Sequence, residues 1–281
     1  MGGFLGLFDY SKPGPGVPKD GPQKPRIVVF FEIYTRKFWN LVKLNLMFVL
    51  FNLPAILVAA ILAIASQLFF KNKVSEDLLL DFVFRFVFAA VALCIPVLTV
   101  GPAQAGFTYI LRNYAREEHA FIWGDFKEHA LKNFKEGIII SLIDLAVTLV
   151  IVFDIYIYRS LDKSSLLITA ASVLLMISFV IYFMMHLYIY PMLVSFKLTI
   201  KQLYKNALIF SLIYFLPNLG ILVLCLVLTF ASFIMPILGF MLFPLITMST
   251  IGLITNFYVY PRLKKHMFDK IEQQNTSVEE A

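Results

Sequence analysis

Three ionisable side chains interrupt otherwise apolar runs of this chain: Asp144, Asp154 and His186. Such groups within hydrocarbon are expensive and mark proton relays, solute contacts or buried polar pairs. Asp144 is the strongest single candidate. A central Asp costs about 2.5–3.5 kcal/mol on the insertion scale, whereas each Leu, Ile, Val or Phe returns about 0.3–0.6 kcal/mol. The apolar residues of the 137–153 run outweigh that cost. Two uses fit Asp144: a polar contact to a neighbouring Asn or Tyr, which is the commoner arrangement, or a role in moving a proton or solute. Asp154 falls near the end of its run and reads as an interfacial carboxylate. His186, five residues before Pro191, reads as a packing or interfacial histidine, with a proton relay as the sharper alternative. Asp144 and His186 both fall towards the same membrane face, so their pairing is geometrically allowed.

Amides add further polar points: Asn45, Asn52, Gln104, Asn218 and Asn256. Asn52-Leu53-Pro54 and Pro217-Asn218 each place an amide beside a proline. Proline frees a backbone carbonyl, and a nearby amide can help satisfy it. Kink stabilisation is one reading, and a broken helix facing a solute is the other. The candidate polar intramembrane site is therefore Asp144, His186, Asn52 and Asn218. No catalytic residue is assigned. The chain has no Walker A loop, Gly-x-Ser-x-Gly elbow, His-Glu-x-x-His pair or dinucleotide fingerprint. His119 and His129 are ten apart, not a helical i, i+4 ligand pair. Cys94 and Cys225 lie in apolar runs and read as small buried hydrophobes. We therefore expect no metal, no cofactor and no enzyme activity.

The elements that must position these residues are long apolar helices. Hydrophobic residues make up 60% of the 281 residues and charged ones 15%, against about 45–50% and about 25% in globular domains. Asn206 to Pro261 holds no Asp, Glu, Lys, Arg or His, enough for two crossings at about 20 residues each. The remaining charge-free runs give four more. The six expected spans are Leu44–Phe69, Phe86–Ile110, Gly137–Ile157, a fourth between Lys163 and Lys197, Ala207–Phe230 and Ile237–Tyr260. A turn near Ser232–Pro236 separates the last two. The expected fold is all-α and integral to a membrane.

Six crossings leave both termini on one side, and the Lys/Arg distribution chooses it. Nineteen of the 24 Lys and Arg residues fall in the N-terminal arm, the second and fourth connections and the tail. This places the termini in the cytoplasm of a multi-pass plasma-membrane protein. The formal net charge of +6 then answers anionic lipid headgroups, not nucleic acid. Five prolines between Pro13 and Pro25 forbid a continuous helix there. The chain divides into an extended cytosolic arm (1–26), a six-helix transmembrane domain (27–266) and a polar tail (267–281).

An internal repeat is also visible. Phe38-Trp39-Asn40, Leu131-Lys132-Asn133-Phe134 and Leu203-Tyr204-Lys205-Asn206 precede spans one, three and five. The even spans end at Pro102, Pro191 and Pro261. Each approach carries an amphipathic stretch: Phe30, Phe31, Tyr34, Phe38 and Leu41; Trp123, Phe126, Ala130, Leu131 and Phe134; and Phe196, Ile200, Leu203 and Ala207. Such helices commonly lie in the headgroup plane. The expected unit is a cytosolic amphipathic helix followed by a hairpin of two spans, used three times in parallel orientation. The generic alternative is that any membrane hairpin begins with cations and aromatics and ends near proline.

The stretch Leu98-Thr99-Val100-Gly101-Pro102-Ala103-Gln104-Ala105-Gly106, with Arg112, Arg116, Asp125 and Phe126 after it, resembles the signature of the YesL family of bacterial membrane proteins. The N-terminal Phe8-Asp9-Tyr10-Ser11-Lys12-Pro13-Gly14-Pro15-Gly16 and Arg36-Lys37-Phe38-Trp39 are similar to a Gram-positive branch of it. The family is a domain of unknown function, with no established active-site residues to carry over. The resemblance implies association with carbohydrate-uptake ABC transporters, and so an accessory role beside permease subunits. An independent small-solute carrier or channel, and a membrane sensor or scaffold, are the alternatives. Physically, Gly101 and Ala103 permit close backbone approach and Pro102 bends the exit from span two.

Overall fold

The structure, a computed structural model, describes residues 24–70, 78–160 and 166–269. The expectations for the arm and the polar tail fall largely outside the described residues. Every regular element among the described residues is helical. A chain this apolar must satisfy its backbone internally, and a helix does so within a single segment.

The chain divides into two compact units, Met1–Arg36 and Lys37–Ala281. In the first, the described residues enter α1, where the Phe30 and Tyr34 rings stack. The second begins within α1, at Lys37, and holds every later helix. Helix α1 spans Arg26–Phe70, α2 Leu78–Ala115, α3 Ile122–Lys132, α4 Phe134–Ser160 and α5 Leu166–Leu193. Then come α6 (Ile200–Ile213), α7 (Phe215–Ser232), α8 (Pro236–Leu242) and α9 (Met248–Leu263). A π-helical turn, Phe243–Thr247, joins α8 to α9, and another, Lys264–Phe268, follows α9.

Among the described residues, six helical runs are long and apolar enough to cross a membrane: Arg26–Leu68, Val83–Ala115, Phe134–Ile157, Leu166–Leu193, Phe215–Ser232 and Pro236–Phe268. They are compatible with a multi-pass membrane protein. Large apolar side chains such as Leu216, Ile237 and Phe240 point away from the protein, as lipid-facing residues do. The break between the last two runs falls where Pro236 requires it. Pro236 takes the first turn of α8, where its missing N–H costs nothing.

Several boundaries differ from the sequence reading. Pro102 does not end its helix: α2 continues to Ala115. Helix α1 runs unbroken past Asn40. Asn133 does sit at a break, between α3 and α4, but the corresponding break before α7 falls at Tyr214 rather than Asn206. Pro217 explains the shift, because its ring and absent N–H disturb the turn that precedes it. The face read on α3 also splits. Phe126 and Ala130 are buried, while Trp123, Leu131 and Phe134 are exposed, because α2 covers only the Phe126 stripe. Cys94 is exposed and Cys225 partly so; both are free thiols.

The core sits where α2 meets α3, α4 and α9, and continues along α5 and α6. Glycine sets the spacing on α2. A Cβ at Gly101 would lie 2.1 Å from the Gly137 carbonyl oxygen, and one at Gly106 2.4 Å from that of Phe126. These two positions let α4 and α3 approach the α2 backbone directly. Ala103 and Ala105 beside them are fully buried.

Candidate functional site

Asp144 on α4 and His186 on α5 meet. His186 Nε2 lies 3.0 Å from Asp144 Oδ1, and the Tyr182 hydroxyl, one turn before His186, donates to the same oxygen at 2.5 Å. The spacing follows from the helix: residues 182 and 186 share a face at i, i+4. The Tyr182 and His186 rings pack edge to face. The buried Tyr204 hydroxyl on α6 lies against that of Tyr182. Burial, and the charge of nearby Asp144, push its phenol above the usual range. A carboxylate bonded by an imidazole and a phenol is a polar contact that also holds an exchangeable proton.

His186 also borders a cavity of about 310 Å³ among α2, α5, α7, the Phe243–Thr247 turn and α9. That volume is near the lower end of the roughly 300–1,000 Å³ of small-ligand sites. Gln104, Thr108, Tyr190, Thr255 and Asn256 supply its other amide and hydroxyl groups, and Cys225 its thiol. Gln104 Nε2 donates to Thr108 Oγ1 at a long 3.5 Å. Asn256, 4% exposed, gives its Nδ2 to Gly252 O and leaves Oδ1 without a partner. Among the described residues, no Asp, Glu, Lys or Arg lines the cavity.

The remaining members of the expected polar set lie elsewhere. Asn218 is fully buried and bonded through both ends of its amide. Its Oδ1 accepts from the Tyr188 hydroxyl at 2.7 Å and the Tyr258 hydroxyl at 2.6 Å, while Nδ2 donates to the Phe210 and Ser211 carbonyls at 3.1 and 3.2 Å. It ties α5 and α9 to the end of α6, beside the break at Tyr214. Asn52 donates to Phe48 O in its own helix, one turn back. Asn45 donates to Leu245 O in the π-helical turn, where Pro244 cannot complete a regular ladder. These three arrangements satisfy helix backbone. Asp154 does not join the Asp144 cluster.

Arg112 fastens α2 to the end of α5. Its Nη1 donates to Val194 O at 2.8 Å, and its Nε and Nη2 hold Asn113 Oδ1. Its guanidinium lies 4.5 Å from the Tyr109 ring, and His129 from α3 stacks on that ring too. Burial, with Lys132 nearby, holds the His129 imidazole below its ordinary range. Arg116 pairs with Glu118 at 3.0 Å and faces the Tyr260 ring. Asp125 Oδ2 accepts from the Phe121 N–H at the start of α3. Phe126 packs beneath Gly106. The block Gly101, Pro102, Ala103, Arg112, Arg116, Asp125 and Phe126 thus forms the α2–α3 junction and its ties to α4 and α5.

Residues 41–155 match the model of a family described as a protein of unknown function, DUF624. The DUF624 match takes in that whole block, Asp144 and the cavity residues Gln104, Phe107 and Thr108, and stops before His186 and the cavity residues of α5, α7 and α9. Comparison with curated proteins and with solved structures finds no match.

Two features escaped the sequence reading although a signal was present. Thr199 and Gln202 form a reciprocal capping box at the start of α6, written in the Thr-x-x-Gln spacing. Tyr182 as the carboxylate's partner could be inferred only once His186 was placed opposite Asp144, since i−4 from that histidine shares its face.

Proposed function

We propose that this chain is a plasma-membrane protein of the YesL type that serves carbohydrate uptake as an accessory component of an ABC transporter. Both termini face the cytoplasm, and the six crossings form three hairpins in parallel orientation, each preceded by a cytosolic amphipathic helix. The lipid partner is an anionic leaflet and the protein partner a permease subunit. The observation that carries this reading is the Gly101–Phe126 block. The resemblance rests on it, the DUF624 match over residues 41–155 includes it, and it organises α2, α3 and α4. The exposed Trp39, Phe121 and Trp123 supply apolar surface at the cytosolic end for lipid or partner. The chain lacks an ATP-binding motif, so another subunit must supply the energy. Affinity purification from native membranes tests it: permease subunits should co-elute, and the protein alone should move no sugar in proteoliposomes.

The cavity beside His186 favours a second reading, an independent small-solute carrier. A scaffold needs only a dry interior, whereas this cavity carries amides, hydroxyls and an imidazole. Flux through the purified protein alone, lost in Asp144→Asn, would establish the carrier and displace the accessory role.

A further inference from the structure

We propose that the cavity among α2, α5, α7 and α9 binds one small uncharged solute that both donates and accepts hydrogen bonds, a hydroxyl-bearing molecule of polyol size. The inference deepens the uptake role above and rests on these helices crossing the membrane. It follows from which atoms the cavity leaves unused. His186 turns Nε2 to Asp144. A neutral imidazole donating there keeps its lone pair on Nδ1, because the second-shell bond selects the tautomer. Gln104 gives one amide hydrogen to Thr108 at 3.5 Å and keeps the other and its carbonyl. Asn256 gives one Nδ2 hydrogen to its own helix and keeps the other. Thr108, Thr255 and Tyr190 add hydroxyls. The wall therefore offers donors as well as acceptors, and among the described residues no Asp, Glu, Lys or Arg lines it to select an ion. The rings of Phe107, Phe183 and Phe243 line other parts of the wall and suit the C–H face of such a solute.

Cys225 lines the same cavity and reports on it. Cys94→Ala leaves Cys225 as the single thiol, the chain having two cysteines. The full-length protein in proteoliposomes is treated with a small, water-soluble, charged methanethiosulfonate, and the labelling rate is followed with glycerol, a hexose, glutamate or choline present. Cys225 should label, and glycerol or the hexose should slow it. At ten times the dissociation constant the rate should fall about eleven-fold, since only unoccupied protein reacts. Glutamate and choline should leave it unchanged. His186→Ala and Gln104→Leu, each checked for a single size-exclusion peak, should label normally and lose the protection. Failure of Cys225 to label, labelling indifferent to both polyols, or protection by the charged solutes instead would each overturn the assignment. Co-purification with permease subunits is read on the same protein, so the uptake role stands or falls separately.

Discussion

Asp144 concentrates two donors on one oxygen, and that geometry separates charge from shape. Asp144→Asn preserves size and one acceptor but removes the negative charge. Asp144→Leu removes both and leaves the Tyr182 hydroxyl and His186 Nε2 without their partner. Hydrogen bonds within membranes average about 0.6 kcal/mol each, so the leucine variant should lose about 1 kcal/mol of stability and the asparagine variant less. Thermal unfolding in detergent measures both. Asn218 makes four hydrogen bonds, and by the same rule Asn218→Leu should cost about 2 kcal/mol or more. His129 offers a pH prediction of definite sign. Its folded-state affinity for protons is depressed, so the unfolded chain binds more protons at acid pH. The stability it lends is complete above about pH 6.5, its ordinary value, and declines as pH falls below that. Melting temperature should drop from pH 7 to 5 in the wild type, and less in His129→Phe, which keeps the stack on Tyr109. At this scale Asp144 and His186 were visible because an ionisable group in an apolar run is conspicuous. Their partner was not, because Tyr182 is one of 13 tyrosines and only the helix phase against α4 singles it out.

At the scale of elements, the decisive contact is between the α2 and α4 backbones. A side chain at Gly101 would meet Gly137 O and Ser141 Oγ, and one at Gly137 would meet the Pro102 nitrogen at 2.7 Å. Backbone cannot yield as a flexible side chain can, so the helices must separate. Gly101→Val should cost about 1–3 kcal/mol or more, the usual range for overpacking. Gly220 is the internal control. A Cβ there meets nothing within 4 Å, and Gly220→Ala should be neutral or slightly stabilising, by up to about 1 kcal/mol. Detergent melting of the two variants beside wild type decides whether close approach is what Gly101 supplies. The positions of the helices were legible in the charge-free runs, and the Ser232–Pro236 turn in its proline. The break at Tyr214 was hidden, since Asn206 to Pro261 is uniformly uncharged and hydropathy carries no mark of a helix interruption. Pro102 misled for the opposite reason. Proline predicts a disturbed turn, but tight packing of Gly101 and Ala103 keeps α2 helical to Ala115.

For the whole molecule, the proposed orientation rests on the separation of charge across the six candidate crossings. Lys and Arg near span ends are generally retained on the cytoplasmic side because moving them outward is disfavoured during insertion. Lys127 on α3 and Lys201 on α6 belong to the cation-rich connections, whereas Lys73, between the first two spans, belongs to the poor ones. The orientation therefore rests on many residues acting together, and no single substitution should reverse it. In a background of Cys94→Ala and Cys225→Ala, a lone cysteine at position 73 should react with a membrane-impermeant maleimide in intact cells. Lone cysteines at 127 and 201 should react only after permeabilisation. The opposite pattern would invert the topology and place α3 and α6 outside, beyond the reach of any cytoplasmic partner. Reaction at all three positions in intact cells would mean that the runs flanking them do not all cross. Because α3 carries exposed Trp123 and is preceded by exposed Phe121, adding anionic lipid to the liposomes should slow labelling at 127, as the aromatic face and its lysines settle into the headgroups.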